Sequence, residues 1–127
     1  MTSEASVAIQ VGTYYKSIVV QGKQIARTLG MPTANIFAPI ALNMHTPGVY
    51  AGRTVVGECF YDSCIFLAAD GTLESHCIGH TDLELYGKEI MVTIIAKVRD
   101  MLDFSGWTLE QIREQLAKDL EGASALV

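Results

Sequence analysis

The stretch "ECFYDSCIFLAADGTLESHCIG", residues 58–79, indicates the fold class of the chain most clearly. Two segments of strand type, residues 58–69 and 72–79, flank Asp70 and Gly71, and an Asp-Gly dipeptide readily adopts the positive φ angles of a tight hairpin turn. On the second strand, Glu74 and His76 project from one face, and the residues between and beside them project from the other. The stretch therefore predicts an antiparallel β-hairpin with a carboxylate and an imidazole side by side.

Three more segments have the composition or the periodicity of strands. Residues 14–21 are rich in β-branched and aromatic side chains and are followed by a glycine, as a strand is when it enters a loop. Residues 48–57 follow a proline and end at a glycine, and residues 90–99 alternate with a period of two. We interpret residues 22–35, between the first two of these strands, as a loop.

The C-terminal part of the chain predicts one amphipathic helix. Thr108 can cap its start, Gln111 completes a capping box, and Trp107 can pack onto Ile112 as a hydrophobic staple. Gly122 is a typical stop signal. The predicted apolar stripe consists of Leu109, Ile112, Leu116 and Leu120.

Length and composition predict a single domain. The chain has 127 residues, 50% of them hydrophobic, which is enough for one compact core but not for two. We expect residues 1–127 to form this domain, with disordered or frayed ends near residues 1–6 and 123–127. Several antiparallel strands followed by one helix predict a small, closed or nearly closed β-barrel with the helix packed across it.

Charge and hydropathy argue against several classes of partner and location. The net charge of −5 disfavours broad binding to nucleic acid or to an anionic membrane, although a small anionic ligand needs only a local cluster of donors. The N-terminal residues lack a basic segment followed by a long apolar run, and no apolar stretch is long enough to span a bilayer. We therefore expect a cytoplasmic protein.

The three cysteines are odd in number, lack C-x-x-C spacing and lie among apolar residues, so they predict buried thiols rather than disulfides. A metal centre built from cysteines and nearby histidines is disfavoured, because no close pair has the usual spacing of metal ligands. The residues concerned are Cys59, Cys64, His76, Cys77 and His80.

The segment "GKQIARTLGMPTANI", residues 22–36, combines glycines, basic side chains and small oxygen-bearing side chains. Backbone N–H groups of such a loop can wrap phosphates. The hydroxyl of Thr33 and the amide oxygen of Asn35 are ligands of the kind that Mg²⁺ prefers. A second interpretation is that both side chains only hydrogen-bond a turn after Pro32. Glu74 likewise has two interpretations, as a general base or as part of a solvated strand face.

The order of these segments resembles the riboflavin kinase family over residues 14–123. The resemblance rests on "LGMPTANI" at residues 29–36, "ESH" at 74–76 and "LYGKEI" at 85–90. It implies a mainly β fold, namely a six-stranded antiparallel Greek-key barrel with one C-terminal α-helix. It also implies ATP-dependent phosphorylation of the riboflavin 5′-hydroxyl, which gives FMN and ADP.

The resemblance also implies roles for individual residues. The implied nucleotide-binding positions are Gly22, Arg27, Gly30, Pro32, Thr33 and Asn35. Thr33 and Asn35 are also the implied ligands of Mg²⁺ or another divalent cation, with ATP as co-substrate. Glu74 is the implied general base, and we keep His76, on the same strand face, as the second candidate for that role.

Arg99 and Phe104 are implied to bind the flavin, while the chain departs from the family pattern at Ala26 and within residues 59–71 and 100–102. We expect riboflavin, FMN, ATP and ADP as partners, no nucleic-acid or membrane partner, and a monomer. FAD synthesis is not expected, because the sequence has no H-x-G-H nucleotidyltransferase motif. Two alternatives stay open: a catalytically weak or silent flavin- or nucleotide-binding module of the same fold, and an interaction barrel without a ligand.

Overall fold

The computed structural model of the protein describes residues 6–21 and 31–127. Gly22, Arg27 and Gly30, for which we predict phosphate contacts, and the departure at Ala26 lie outside these described residues. The described elements are β1 (Ile9–Val11), β2 (Tyr14–Ile18), β3 (Ala34–Phe37), a 3-10 helix (Pro39–Asn43), β4 (Gly48–Val56), β5 (Cys59–Leu67), β6 (Thr72–Cys77), β7 (Glu89–Asp100) and α1 (Leu109–Leu126). Over these residues the fold is therefore mainly β with one C-terminal α-helix. Within the described ranges, no helix has both the length and the apolar character needed to cross a membrane.

The strands form one seven-stranded sheet in the order β1-β2-β7-β4-β5-β6-β3, and all neighbours are antiparallel. Isolated bridges join Val7 to Phe37 and Val20 to Asn35, so the two edges of the sheet approach each other and the sheet forms a half-barrel. The predicted count of six strands is wrong, because the described residues form seven. The three residues of β1 are all exposed and show no alternation of burial, so they give no periodic signal in the sequence.

The predicted hairpin is confirmed. β5 and β6 are antiparallel neighbours, and Leu67 lies opposite Leu73 beside the turn. Gly71 in the turn has a φ of +92°, which is the conformation that the Asp-Gly dipeptide predicts. A Cβ on this residue would lie 2.8 Å from the Cα of Pro39, so the turn also needs a residue without a side chain.

The predicted loop at residues 22–35 is wrong at its C-terminal end. Ala34 and Asn35 belong to β3, which pairs with β6. The polar residues after Pro32 have the composition of a turn. A partner strand that follows some forty residues later overrides this local preference, so the sequence around Asn35 does not predict the strand.

Alternation along the strands divides the apolar residues between the two faces of the sheet. The interior of the half-barrel holds the larger cluster, which includes Tyr15, Ile36, Ile65, Leu67, Leu73, Ile90 and Val92. α1 covers part of the outer face, where Leu120 and Ala123 join a cluster with Val49 and Cys64. The helix is therefore packed across the sheet, as the amphipathic pattern predicts.

The cysteines are free thiols, and the prediction that they are buried is confirmed for Cys64 and Cys77 but wrong for Cys59, which is exposed. Burial beneath α1, reinforced by the nearby carboxylate of Asp119, raises the pKa of the Cys64 thiol to about 12. Burial also raises the pKa of Cys77. Both buried thiols are therefore protonated at neutral pH and suit packing rather than nucleophilic chemistry.

α1 begins where the sequence predicts and ends later. Thr108 Oγ1 accepts a hydrogen bond from the backbone N–H of Gln111, whose side chain accepts one from the N–H of Thr108, so the capping box is confirmed. The helix continues through Gly122 to Leu126, so the predicted stop at Gly122 is wrong. A Cβ at position 122 would lie 3.0 Å from Cγ1 of Val98. The glycine therefore permits close packing against β7 instead of ending the helix.

The predicted apolar stripe of α1 is confirmed for Ile112, Leu116 and Leu120, which form a cluster on the outer face of the sheet. It is wrong for Leu109, which is 66% exposed. Met31 is buried in the same cluster as Leu116. The helix therefore contacts the segment that leads into β3.

Candidate functional site

Pairing between β3 and β6 brings Thr33 and Asn35 next to Glu74, which follows Thr33 by 41 positions in the sequence. Asn35 lies directly opposite Glu74 in the antiparallel register, so their side chains share one face of the sheet. Phe66, which packs towards α1, lies opposite Glu74 on its other side, so this is the outer face. Thr33 Oγ1 donates a hydrogen bond of 2.9 Å to Glu74 Oε1. The predicted metal ligands and the predicted base are therefore neighbours.

The amide oxygen of Asn35 is buried without a hydrogen-bond partner. The residue is 4% exposed, and among the buried side-chain nitrogen and oxygen atoms of the described residues only its Oδ1 lacks a partner. A buried acceptor left unsatisfied costs about 1–3 kcal/mol of stability. Thr33 Oγ1 donates its proton to Glu74, so the lone pairs of Thr33 Oγ1 stay available to a metal ion. Two neutral oxygens beside a carboxylate fit a hard cation such as Mg²⁺.

His76 shares the strand face of Glu74, as predicted, but its imidazole is already engaged. The residue is 3% exposed, and its Nδ1 lies 2.7 Å from the carbonyl oxygen of Pro32. A carbonyl oxygen can only accept, so Nδ1 carries the proton of this hydrogen bond. The hydrogen bond holds the backbone of Pro32, which directly precedes Thr33. It also occupies one of the two ring nitrogens that His76 would need as a base.

A cavity of about 370 Å³ adjoins Thr33 and Asn35. Its remaining lining includes Val20, Leu83, Leu85, Tyr86, Ser75 and Cys77. Glu74 does not belong to the lining, but Thr33, which does, contacts its carboxylate through the 2.9 Å hydrogen bond. Sequence analysis missed the contribution of residues 80–86, because apolar residues in a connection between strands have no local signal that separates ligand contact from packing.

Arg99 and Phe104 lie close to each other, with the guanidinium 5.8 Å from the ring centroid. Arg99 also donates two hydrogen bonds of 2.7 Å, from Nε and Nη2, to the carboxylate of Asp119 in α1. Asp119 is 1% exposed and accepts a third hydrogen bond of 3.0 Å from Gln115. The main contact of Arg99 therefore ties the helix to β7, and its flavin-binding role stays a prediction.

Sequence analysis missed Asp119, although a signal exists. The residue directly precedes Leu120 and follows Leu116 by three positions, so it is a single acid on the apolar side of an amphipathic helix. Such an acid needs a buried cation as partner.

Within residues 6–21 and 31–127, no group of three His, Cys, Asp or Glu side chains is placed to hold a metal ion.

Comparison with known proteins identifies the family of this half-barrel. A family model described as "Flavokinase: Riboflavin kinase" matches residues 11–127. The chain belongs to the riboflavin kinase family. The resemblance inferred from the motifs is therefore confirmed.

Several curated proteins are similar to the chain over most of its length. The RNA-binding riboflavin kinase RibR of Bacillus subtilis is 30% identical over 115 residues, which are 85% of this chain and 48% of that protein. The bifunctional riboflavin kinase/FMN adenylyltransferase of Escherichia coli is 30% identical over 110 residues, 80% of this chain and 34% of that protein. The trifunctional protein RibF/MnmA of Mycoplasmoides gallisepticum is 28% identical over 87% of this chain and 17% of its own length. The chain thus spans less than half the length of these relatives.

The crystal structure of a macrolide-efflux protein from Streptococcus pneumoniae has the same fold. It superposes with a TM-score of 0.71 at 22% identity and covers 90% of this chain and 37% of that one. This likeness concerns the fold alone.

The name of the Bacillus subtilis relative includes RNA binding, which does not fit a general absence of nucleic-acid partners in the family. For the present chain, with its net charge of −5, that absence stays a prediction.

Proposed function

We propose that the chain transfers the γ-phosphate of ATP to the 5′-hydroxyl of riboflavin and releases FMN and ADP. The observation that supports this most strongly is the buried, unpartnered amide oxygen of Asn35 beside the Thr33–Glu74 hydrogen bond. Buried polar atoms in native proteins are rarely left without a partner, and a bound ion is one of the ways in which such an atom is satisfied. Membership of the riboflavin kinase family supports the choice of substrates.

Thr33 and Asn35 would hold a divalent cation, with Mg²⁺ as our first choice. When bound, the cation would neutralise negative charge on the phosphates during transfer. Residues 22–30 directly precede this segment in the chain, and Gly22, Arg27 and Gly30 remain our candidates for phosphate contacts. The cavity beside Thr33 and Asn35 would receive the nucleoside, since it combines apolar walls with an adjoining pair of oxygen ligands.

Glu74 would take the proton of the riboflavin hydroxyl. In that step the hydroxyl oxygen bonds to the γ-phosphorus, the bond from that phosphorus to the ADP oxygen breaks, and the proton moves to the carboxylate. Thr33 both lines the cavity and hydrogen-bonds Glu74. A nucleotide in the cavity would therefore present its phosphates towards the carboxylate, while riboflavin would approach from the side of Glu74.

Arg99 and Phe104 remain our candidates for contact with the flavin. The neighbouring Met101 and Leu102 are exposed apolar side chains, and Phe104 makes an edge-to-face contact with Trp107 at a centroid distance of 4.9 Å. An apolar, aromatic surface of this kind suits a flat ring system. Because Arg99 is held by Asp119, we propose that it acts on the flavin through the orientation of this surface.

A direct assay tests the proposal. The protein is incubated with riboflavin, ATP and Mg²⁺, and FMN is separated from riboflavin by chromatography. We expect FMN to accumulate with Mg²⁺ and to be absent when EDTA is in excess. Folded protein that forms no FMN over long incubation contradicts the proposed kinase activity.

A second candidate function is a flavin- or nucleotide-binding module without turnover. The observation that favours it is the engagement of Arg99 by Asp119, which leaves one predicted flavin contact committed to the fold. Binding of riboflavin and of Mg²⁺·ADP without FMN formation would establish this alternative. In both cases we propose a monomeric, cytoplasmic protein that acts on small molecules.

A further inference from the structure

The ladder between β3 and β6 includes Asn35 but ends at Ala34, next to Thr33, the other candidate metal ligand. Ala34 lies opposite Ser75 and Asn35 opposite Glu74, and the described pairing does not extend to Thr33. Continued in the same register, the ladder would place residue 33 opposite residue 76. Pro32 has no N–H group and cannot donate to such a ladder. The segment that carries Thr33 therefore needs another anchor.

Three side-chain contacts supply this anchor, one for each residue of the segment. Met31 is buried against Leu116 of α1. The carbonyl of Pro32 accepts a hydrogen bond of 2.7 Å from His76 Nδ1, and the hydroxyl of Thr33 donates one of 2.9 Å to Glu74. The contact made by His76 is the only one of the three that fixes the backbone itself through a hydrogen bond.

The imidazole of His76 is well placed for this task. His76 is 3% exposed and its hydrogen bond to Pro32 is partly buried, where such a bond is stronger than in water. A displacement of about 1 Å in a residue that positions reacting groups can cost two orders of magnitude in rate. Thr33 is covalently joined to Pro32, so a shift of the carbonyl would be passed to the hydroxyl that faces the cation site.

We infer that His76 is a positioning residue, whose Nδ1–H holds the carbonyl of Pro32 and thereby places Thr33 and Asn35 for the divalent cation. This inference rests on the proposed function and deepens it. It separates the two polar residues of one strand face: Glu74 acts on the proton of the substrate, and His76 acts on the backbone of the metal-binding segment.

Three substitutions separate this role from others. In His76→Asn, the side-chain N–H₂ is attached at the same carbon as Nδ1 of histidine, so it can still donate to the carbonyl. In His76→Gln the donor is one bond further out, and in His76→Leu it is absent. The dissociation constant of Mg²⁺·ADP is measured by calorimetry for each variant, together with kcat and KM for riboflavin.

We expect His76→Leu to weaken Mg²⁺·ADP binding about 10- to 100-fold, the usual effect of losing a group that orients a metal ligand. We expect His76→Asn to stay within about threefold of the parent, and His76→Gln to resemble the leucine variant. A matched control is His45→Leu. His45 is a half-buried imidazole that packs against Tyr15 and Tyr50, and it lines a second cavity together with Ala69, next to the β5–β6 turn. This control should bind Mg²⁺·ADP like the parent.

Two results would overturn the inference: parent-like Mg²⁺·ADP binding in His76→Leu, or equally weak binding in the asparagine and leucine variants. If the leucine variant does not fold, the asparagine and glutamine pair makes the same distinction.

The tautomer of His76, measured by ¹⁵N NMR without any ligand, gives an independent readout. A proton on Nδ1 is expected, and a neutral ring with its proton on Nε2 contradicts the inference even if the kinase proposal stands. A parent that binds no Mg²⁺·ADP but shows the Nδ1 proton overturns the proposed function and the metal-positioning role together.

Discussion

Two polar clusters lie on the outer face of the sheet, and they differ in how completely their hydrogen bonds are satisfied. In the first, Asp119 is 1% exposed and its carboxylate accepts two hydrogen bonds from Arg99 and one from Gln115. In the second, Asn35 is 4% exposed and its amide oxygen has no partner, although Thr33 is nearby. Both clusters contain residues that the sequence marks as candidate ligand contacts. The closed cluster holds the helix in place, and the open one retains capacity for a ligand.

The energetic consequences of the two clusters are opposite. Removing one partner from a closed, buried ion pair leaves an uncompensated charge and is strongly destabilising. Removing an unsatisfied buried oxygen relieves a cost of about 1–3 kcal/mol. A residue that lowers stability where an apolar side chain would raise it is typical of a functional site. Substitutions in the two clusters should therefore change stability in opposite directions.

The largest expected effect concerns Glu74, next to the open cluster. Glu74→Gln keeps an oxygen that can accept the hydroxyl of Thr33 but removes the ability to take a proton at neutral pH. Turnover of riboflavin should fall about 10²- to 10⁴-fold, the range of general acid–base assistance, while the dissociation constant of Mg²⁺·ADP should stay close to that of the parent. Steady-state kinetics and calorimetry measure the two quantities. Near-parental turnover would show that the proton leaves by another route, and a loss of nucleotide binding instead would make Glu74 a ligand contact.

A smaller effect is expected at the closed cluster. Asp119→Ala leaves the guanidinium of Arg99, whose side chain is 16% exposed, without its partner. The free energy of unfolding should fall by about 3 kcal/mol, at the lower end of the range for a broken buried pair. Urea unfolding measures the change. The double variant Asp119→Leu/Arg99→Met replaces the pair by apolar side chains and should recover most of the loss. If it is as unstable as the single variant, the pair is needed for more than its charge balance.

The smallest effect is expected at the start of α1, away from both clusters. Thr108→Ala removes the side-chain acceptor of the capping box and should lower the free energy of unfolding by about 1 kcal/mol, whereas Thr108→Ser keeps the acceptor and should change little. Mg²⁺·ADP binding should be unaffected in both variants. A loss of binding in Thr108→Ala would connect helix docking to the open cluster, through the contact between α1 and Met31.

Local chemistry in the sequence predicts much of this structure. Asp70-Gly71 predicts the hairpin, and Thr108 with Gln111 predicts the start of the helix, because turns and caps depend on residues a few positions apart. The motif residues Thr33 and Glu74 are also predicted as functional, and the structure brings them into contact. Their 2.9 Å hydrogen bond depends on the pairing of β3 with β6, which local patterns do not contain.

Other features depend on contacts between distant parts of the chain and give weak local signals. Gly122 has the composition of a helix stop, but its contact with Val98 makes it a packing residue within the helix. Asn35 is expected in a loop, but it pairs with β6 as part of a strand, and its side chain is buried there. Arg99 is engaged by Asp119 from the helix, a contact that adjoins its predicted flavin-binding role. In each case a tertiary partner decides the outcome, and the sequence around the residue does not identify that partner.

We propose that the open cluster around Asn35 binds a cation and nucleotide phosphates, and the stability of Asn35→Leu with and without Mg²⁺·ADP shows whether it does. In urea unfolding, the parent should gain about 2.7 kcal/mol at a hundred times its dissociation constant, because the ligand binds only the folded state. Without ligand, Asn35→Leu should be more stable than the parent by about 1 kcal/mol, since it removes an unsatisfied buried acceptor. It should gain almost nothing from Mg²⁺·ADP, as should Thr33→Val. Asn43→Leu, at an exposed asparagine of the 3-10 helix, should keep the full gain of the parent. If Mg²⁺·ADP stabilises Asn35→Leu as much as the parent, the open cluster is not the site of the cation and the phosphates.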